Sequence, residues 1–276
     1  MRDSMENKYS NDATRLQIRR SIPAIDLTTL RAVRSQLCAG NALTIDSGFA
    51  ISPLSAASAN HWIMRLGEFD YALDLDNSQP IDPPTKDIHS RQPSLTNADR
   101  HINIEARSLE QSDLHAILNN CFLKPLTSPE MSRPYASAGS LYPVQVFILA
   151  RQGRQWERFH LLPLARRLEN LGPVPFTEIF NYVGCDGPVA LEQVDLVLGF
   201  GIIPEISIAK YRLRGYKFSL IEIGEMIQEV TRNAGSMNFS TRPYGYFDEL
   251  SIANLWGLNP DDIWIEQLQL LAKEDS

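Results

Sequence analysis

A continuous apolar run at residues 144–150, VQVFILA, constrains the fold of this chain more than any other feature. β-Branched and aromatic residues favour a strand, and the near absence of polar residues indicates that both faces of the strand are covered. A second run at 195–203 has the same character, residues 158–162 predict a hairpin partner for the first, and residues 263–271 predict a further strand. The chain therefore predicts a sheet that is buried on both sides.

An amphipathic helix is predicted over residues 216–232, because apolar residues recur there at spacings of three and four. The polar face of this helix is predicted to include Glu222, and Gly224 inside it suggests a close approach to the backbone. The predicted buried face carries Leu220, Ile223, Ile227 and Val230.

Two shorter helices have recognisable starts. Ser108 and Gln111 form a capping box for a helix that ends near Cys121, and Asp248 can cap a short helix that runs through Trp256. Strands are interspersed with helices, without a long βαβ series. We therefore expect an α+β fold in which helices flank one mixed sheet.

Composition and charge exclude several classes of protein. The chain has 276 residues, 43% of them hydrophobic, which is enough to build a core. Its net charge of −7 argues against a nucleic-acid or anionic-membrane partner, since binding phosphates needs an excess of Lys and Arg. The first 20 residues lack the apolar core of a signal peptide, and no apolar run approaches transmembrane length.

The distribution of cysteine and histidine indicates a reducing compartment and no metal site. The three cysteines share no CxxC spacing, and the five histidines show no HExxH or Cys/His pairing. A P-loop and a GxSxG nucleophile elbow are also missing from the sequence. Together with the N-terminal residues, this predicts a cytoplasmic protein without a metal cofactor.

The loop at residues 133–143, RPYASAGSLYP, is a candidate ligand-binding segment directly before the first strand. Its run of small residues lets backbone N–H groups and hydroxyls approach a planar ligand or a phosphate, and Arg133 can offer a two-pronged donor to an anion. An ordinary turn before a strand is the alternative.

Two other glycine-containing segments need an interpretation. The GFG at 199–201 does not continue into a dinucleotide-binding loop, because Pro204 replaces the third glycine and no helix is expected there. The aromatic segment PYGYFD at 243–248 can line a flat cofactor, or simply lead into the next helix.

Taken in this order, the segments resemble the SagB/ThcOx-type azoline dehydrogenases, a microcin-type branch of the nitroreductase-like FMN flavoproteins. The resemblance is carried by RPxxSAGSLYP at 133–143, KYRxRGY at 210–216, and GxFD at 245–248 followed by LxGL at 255–258. It covers about residues 86–271.

The resemblance implies a nitroreductase-like α+β homodimer with FMN bound at the interface between subunits. Such proteins oxidise thiazoline and oxazoline rings to thiazoles and oxazoles in a ribosomally made precursor peptide, beside the cyclodehydratase subunits that form the rings. By position, Gly245 would lie near the reactive edge of the flavin, and Lys273 near the C-terminus would replace a missing basic phosphate ligand. The implied cofactor-binding residues are Ser90, Arg91, Arg133, Ser137, Gly139, Ser140, Arg214 and Gly245.

Aromatising an azoline removes a proton and a hydride, so the reaction needs a base and an electron acceptor. A free tyrosine, with a pKa of about 10, is a weak base at neutral pH, but nearby cations favour its phenolate. We therefore expect Tyr211 to be the general base and Lys210 to tune it or to contact the substrate carbonyl.

Two alternative functions stay open at this point. One is a nitroreductase-type enzyme that uses NAD(P)H and acts on a small acceptor, and the other is a catalytically silent scaffold subunit of the same complex. The long N-terminal part motivates the second alternative, since about 100 residues outside a catalytic core usually serve docking or dimerisation. Residues 1–85 are therefore predicted to be a docking or dimerisation extension, and residues 86–276 the FMN-binding oxidoreductase domain.

Overall fold

A computed structural model describes residues 70–83, 108–123, 125, 133–181 and 191–274. These residues form one seven-stranded sheet in the order β1-β4-β3-β2-β5-β7-β6. Each neighbouring pair of these strands is antiparallel, whereas the sequence predicted a mixed sheet. The strands are β1 (Ser78–Pro80), β2 (Val144–Gln152), β3 (Gln155–Leu162), β4 (Arg167–Pro175), β5 (Leu196–Ile202), β6 (Phe239–Tyr244) and β7 (Trp264–Lys273).

Four α-helices accompany the sheet in the described part of the chain. They are α1 (Gln111–Cys121), α2 (Pro204–Tyr211), α3 (Leu213–Ala234) and α4 (Glu249–Leu255). The longest, α3, packs against α1, α2 and β6. None of the described helices is long and apolar enough to cross a membrane.

The two faces of the sheet form two separate hydrophobic cores, as the apolar runs predicted. In β2, Phe147 and Leu149 point into a core shared with α4, while Val146 and Ile148 point into a core shared with α1 and α3. This alternation follows from the two-residue period of a strand. Every residue of β2 except the last, and every residue of β5, is buried.

The GFG motif makes room for a buried tryptophan. A Cβ atom added at Gly199 would lie 2.6 Å from the ring of Trp256, directly after α4. The indole Nε1 of Trp256 donates a hydrogen bond of 3.1 Å to the carbonyl oxygen of Ile148 in β2. The motif therefore serves packing between α4 and the sheet.

Several local predictions are wrong. A helix does begin at Pro204, where none was expected, although the antiparallel neighbours of β5 still exclude a dinucleotide-binding unit. Ser108 does not cap α1; it pairs with Gln152, and Glu110 precedes the helix without a side-chain cap. A Cβ atom added at Gly224 would meet nothing within 4 Å among the described residues, so the close approach expected there stays a prediction.

The prediction for Asp248 is confirmed, because its carboxylate accepts a hydrogen bond of 2.7 Å from the N–H of Ser251 at the start of α4. The composition of residues 74–91, with Pro80, Pro83 and Pro84 among polar residues, predicts a loop, but β1 lies in the described part of this segment and pairs with β4.

Candidate functional site

The corner between α2 and α3 places the KYRxRGY motif. Pro204 occupies the first turn of α2, where its missing N–H costs nothing. The helix ends at Tyr211, and Arg212 turns the chain with φ 54° and ψ −141° before α3 begins. A side chain at Gly215 would overlap the carbonyl group of Ser207, so this glycine permits the two helices to touch.

The loop at residues 133–143 has an unusual backbone. Gly139, Ser140 and Tyr142 have positive φ values of 64°, 57° and 48°. The left-handed conformation is uncommon for residues other than glycine. Hydrogen bonds within the loop hold it, since the N–H of Ser140 donates to the carbonyl of Ser137 at 3.0 Å and the N–H of Tyr142 donates to the Ser137 hydroxyl at 2.8 Å.

The loop and the helix corner meet at Gly139. A Cβ atom added at this glycine would lie 2.5 Å from both Nζ of Lys210 and the hydroxyl oxygen of Tyr211. The Tyr211 ring packs edge-on against Phe218, with ring centroids 5.1 Å apart. The Nζ of Lys210 lies 5.3 Å from the centroid of the Tyr211 ring. Three residues predicted from two separate motifs are thus brought together.

A narrow pocket lies between the loop and the helix corner, and it has hardly any room for a molecule of the size of water. Ligand pockets usually measure about 300–1,000 Å³, so the described residues supply only part of a site for a molecule as large as a flavin. Its lining residues share a position at the contact of the loop with α2 and α3: Ser137, Ala138, Leu141, Pro143, Ser207, Tyr211, Phe218, Ser219 and Glu222.

Two acidic side chains at or near the pocket have raised pKa values because they are buried. Burial raises the pKa of Glu222 to about 8 and the pKa of Tyr135 to about 12. Arg133 opposes both shifts with its charge. Its guanidinium group lies 4.0 Å above the centre of the Tyr142 ring, and it donates a hydrogen bond of 3.1 Å to the Tyr135 hydroxyl.

The other residues that were predicted to bind the cofactor differ in their position relative to the pocket. Ser137 lines the pocket, and Ser140 is exposed beside Gly139. Arg133 is buried under the loop and so does not offer its guanidinium group to solvent. Arg214 and Gly245 are exposed and do not line the pocket.

Three residues were predicted to contact the phosphate of the cofactor, namely Ser90, Arg91 and Lys273. Ser90 and Arg91 lie outside the described residues. The Nζ of Lys273 forms an ion pair of 2.6 Å with the carboxylate of Asp113 on α1, so it already has a counter-ion.

Glu222 is a site residue that the sequence prediction missed. It was assigned to the polar face of the helix, but its exposed fraction is 2%. Leu220, which was assigned to the buried face, is 40% exposed. The sequence does contain a signal, because Gly215, Ser219, Met226 and Val230 are also buried and share the helix face of Glu222 at spacings of three and four.

Comparison with solved structures defines the class of fold. A chain of the Escherichia coli microcin synthetase McbBCD complex with truncated pro-MccB17 bound aligns over 100% of this chain and 92% of its own, with a TM-score of 0.56 and 19% identity. A protein of Anabaena variabilis assigned as a nitroreductase aligns over 67% of this chain and 37% of its own, with a TM-score of 0.55 and 18% identity. A similarly assigned protein of Ralstonia eutropha gives a TM-score of 0.52, 15% identity, and coverage of 70% and 98%. The nitroreductase-like α+β fold is therefore confirmed.

At the level of sequence, the chain is similar to the microcin B17-processing protein McbC of Escherichia coli. The two are 27% identical over 175 residues, which make up 61% of this chain and 62% of McbC, less than two thirds of that relative's length. No family model matches the chain. The resemblance to microcin-type proteins of nitroreductase-like fold, stated from the motifs, is confirmed by this similarity.

Proposed function

We propose that this protein is an FMN-dependent dehydrogenase that oxidises thiazoline or oxazoline rings in a ribosomally made peptide to thiazoles or oxazoles. The observation that carries the proposal is the convergence of Lys210 and Tyr211 on Gly139, beside the pocket that Tyr211 lines. The nitroreductase-like fold and the similarity to a microcin B17-processing protein support it. On this proposal the protein is an oxidoreductase subunit of a cytoplasmic, heterocycle-forming synthetase.

The residues present fit one wall of a flavin site. Ser137 lines the pocket, and Gly139 and Ser140, two residues with positive φ, are exposed beside it without bulky side chains. When bound, FMN would supply the acceptor for the hydride, while the protein supplies binding, orientation and electrostatics. We propose Ser90, Arg91 and Arg214 as further contacts to the cofactor and Gly245 as a neighbour of its ring.

The chain's own chemistry in this reaction is proton transfer. Tyr211 as its phenolate would accept the proton from the ring carbon of the azoline, and Lys210 would stabilise that phenolate or bind the adjacent carbonyl oxygen. General acid–base groups of this kind contribute roughly 10²- to 10⁴-fold to a rate.

A second copy of the chain is proposed to complete the site. The pocket in one chain is smaller than a flavin needs. The helix α3 carries an exposed apolar strip on the side opposite its pocket-lining residues. Ile221 is 59% exposed, Leu220 is 40% exposed, and the space above Gly224 is open. Small residues flanked by apolar side chains allow two helices to pack closely. The precursor peptide and the cyclodehydratase subunits are the other proposed partners, and residues 1–85 are proposed to serve docking or dimerisation.

Substitution of Tyr211 by Phe tests the catalytic assignment. Tyr211→Phe should keep the bound flavin and lose about 10²-fold or more of the turnover of an azoline-containing peptide, measured by mass spectrometry of the product. Tyr216→Phe is the matched control, because it removes the hydroxyl of a tyrosine on α3 whose partner is Glu266, outside the pocket lining. Full turnover by Tyr211→Phe would refute the assignment.

The same preparations distinguish the two alternative functions. Stoichiometric reduction of the flavin by NADPH without any peptide would favour a nitroreductase-type enzyme that acts on a small acceptor. A protein that binds no FMN but holds the cyclodehydratase and the peptide in one complex would favour the scaffold subunit.

A further inference from the structure

Glu222 is a buried carboxyl group at the pocket beside Tyr211. Its side chain belongs to α3, its exposed fraction is 2%, and it lines the pocket together with Tyr211 and Ser137. Its Oε1 atom accepts a hydrogen bond of 3.4 Å from the N–H of Val144 at the start of β2. Its Oε2 atom has no hydrogen-bond partner among the described residues.

The serine hydroxyls in the pocket lining already have hydrogen-bond partners. The Ser219 hydroxyl bonds the Ser207 hydroxyl at 3.1 Å and the carbonyl of Gly215 at 3.0 Å. The Ser137 hydroxyl accepts the N–H of Tyr142 at 2.8 Å. A buried polar atom without a partner costs about 1–3 kcal/mol, so Oε2 of Glu222 is the atom here with most to gain from a ligand.

The surroundings keep this carboxyl group neutral at pH 7. Burial raises its pKa to about 8, and the charge of Glu225, on the next turn of α3, acts in the same direction. The hydroxyl of Ser137, the N–H of Val144 and the charge of Arg133 act in the opposite direction and do not cancel the effect of burial. Tyr135 from the loop and Tyr211 from α2 are the other titratable groups around it.

A neutral carboxyl group has one donor and one acceptor. Because Oε1 accepts from Val144, the hydrogen belongs on Oε2, the oxygen without a partner. A glutamine has the same pattern, since its carbonyl oxygen can accept from Val144 and its NH₂ group can donate in place of the hydroxyl. A carboxylate cannot donate at all.

We propose that Glu222 donates a hydrogen bond from Oε2 to an acceptor atom, a carbonyl oxygen or a ring nitrogen, of the molecule bound beside Tyr211. The inference rests on the proposed function, because the acceptor belongs either to the flavin or to the peptide. In either case Glu222 acts as a donor, and the interaction disappears when the group ionises.

Binding measured at two pH values tests this donor role. Full-length protein freed of bound flavin is titrated with FMN at pH 7 and pH 9, and the flavin-loaded protein is titrated with an azoline-containing peptide at the same values. For one of the two ligands, the wild-type affinity should fall about tenfold from pH 7 to pH 9, as Glu222 ionises. An effect on FMN identifies the flavin as the source of the acceptor, and an effect on the peptide alone identifies the peptide.

Three variants make the test specific. Glu222→Gln should bind within about threefold of wild type at pH 7 and lose the pH dependence, because an amide donates at both values. Glu222→Leu should bind about tenfold more weakly at pH 7, the loss of roughly one hydrogen bond. Glu229→Gln is the matched control: its carboxylate, also on α3, pairs with Arg232 outside the pocket lining, and it should keep the wild-type pH dependence.

The outcomes separate this inference from the proposed function. Binding of both ligands that is unchanged in Glu222→Leu, or a pH dependence that persists in Glu222→Gln, overturns the inference alone. If Glu222→Leu does not fold, Glu222→Gln decides the question by itself. A wild-type protein that binds no flavin overturns the proposed function, and the inference falls with it.

Discussion

Replacing Gly139 with Ala should lower the turnover of the peptide strongly and the stability of the fold only slightly. The added Cβ would lie 2.5 Å from Nζ of Lys210 and from the hydroxyl of Tyr211. Ordinary van der Waals contact needs roughly 3.5 Å, so both groups must retreat by about 1 Å. Both are the ends of long side chains, and they can move without unfolding the helix corner. A displacement of about 1 Å at a catalytic group can cost about 10²-fold in rate.

The cost in stability should be small by comparison. Gly139 has φ +64°, and a left-handed residue with a Cβ costs about 1–2 kcal/mol. Gly172 in β4 provides a matched control, because it has φ +84° and an added Cβ there would meet only Nη2 of Arg158, at an ordinary 3.6 Å. Gly172→Ala should therefore lose similar stability and keep its activity.

Chemical denaturation and peptide turnover measured on both variants test the argument. We expect similar losses in the free energy of unfolding, and a loss of about 10²-fold in kcat for Gly139→Ala alone. If Gly139→Ala turns over the peptide as fast as Gly172→Ala, the contact between the loop and the Lys-Tyr pair has no part in catalysis.

Three further predictions concern the framework of the site. Gly215→Ala should destabilise the protein by about 3 kcal/mol, because its Cβ would overlap the backbone of Ser207, which cannot retreat; a Tm equal to that of wild type would contradict this. Asp248→Ala should cost about 1 kcal/mol by removing the cap of α4 and leave turnover unchanged, as denaturation and peptide assays can check. Burial raises the pKa of Glu222 from 4.5 to about 8, so the unfolded chain loses this proton at a lower pH than the folded protein. As the pH rises through this range, the free energy of unfolding of the wild type should therefore fall by about 1.4 kcal/mol per pH unit. Urea denaturation at pH 5 and pH 8 should show that Glu222→Gln removes this fall, and an unchanged pH profile would show that Glu222 is ionised in the folded state.

The strands with long apolar runs could be predicted from sequence because their pattern is local. Residues 144–150 and 195–203 predicted β2 and β5, and Asp248 marked the start of α4. The strand β4 was missed because Gly172, Pro173 and Pro175 are signals for a turn. These prolines are tolerated because β1 pairs only with residues 167–169, which leaves the rest of β4 as a sheet edge on that side.

The site itself was predictable only in part. The motifs identified Gly139, Lys210 and Tyr211, and the structure brings them together. The burial of Glu222 is signalled only by its spacing from Gly215, Ser219, Met226 and Val230, because the start of β2 that contacts it, at Val144, lies 78 residues earlier in the chain. The exposure of Leu220 and Ile221 likewise depends on which side of α3 faces the sheet.

The absorption spectrum of the purified full-length protein, followed by mass spectrometry of the released ligand, tests the central proposal most directly. An FMN-dependent dehydrogenase should be yellow, show the bands of oxidised flavin and release FMN at about one molecule per chain. A colourless protein that gains no flavin bands after FMN is added would contradict the proposal, whatever the position of Tyr211.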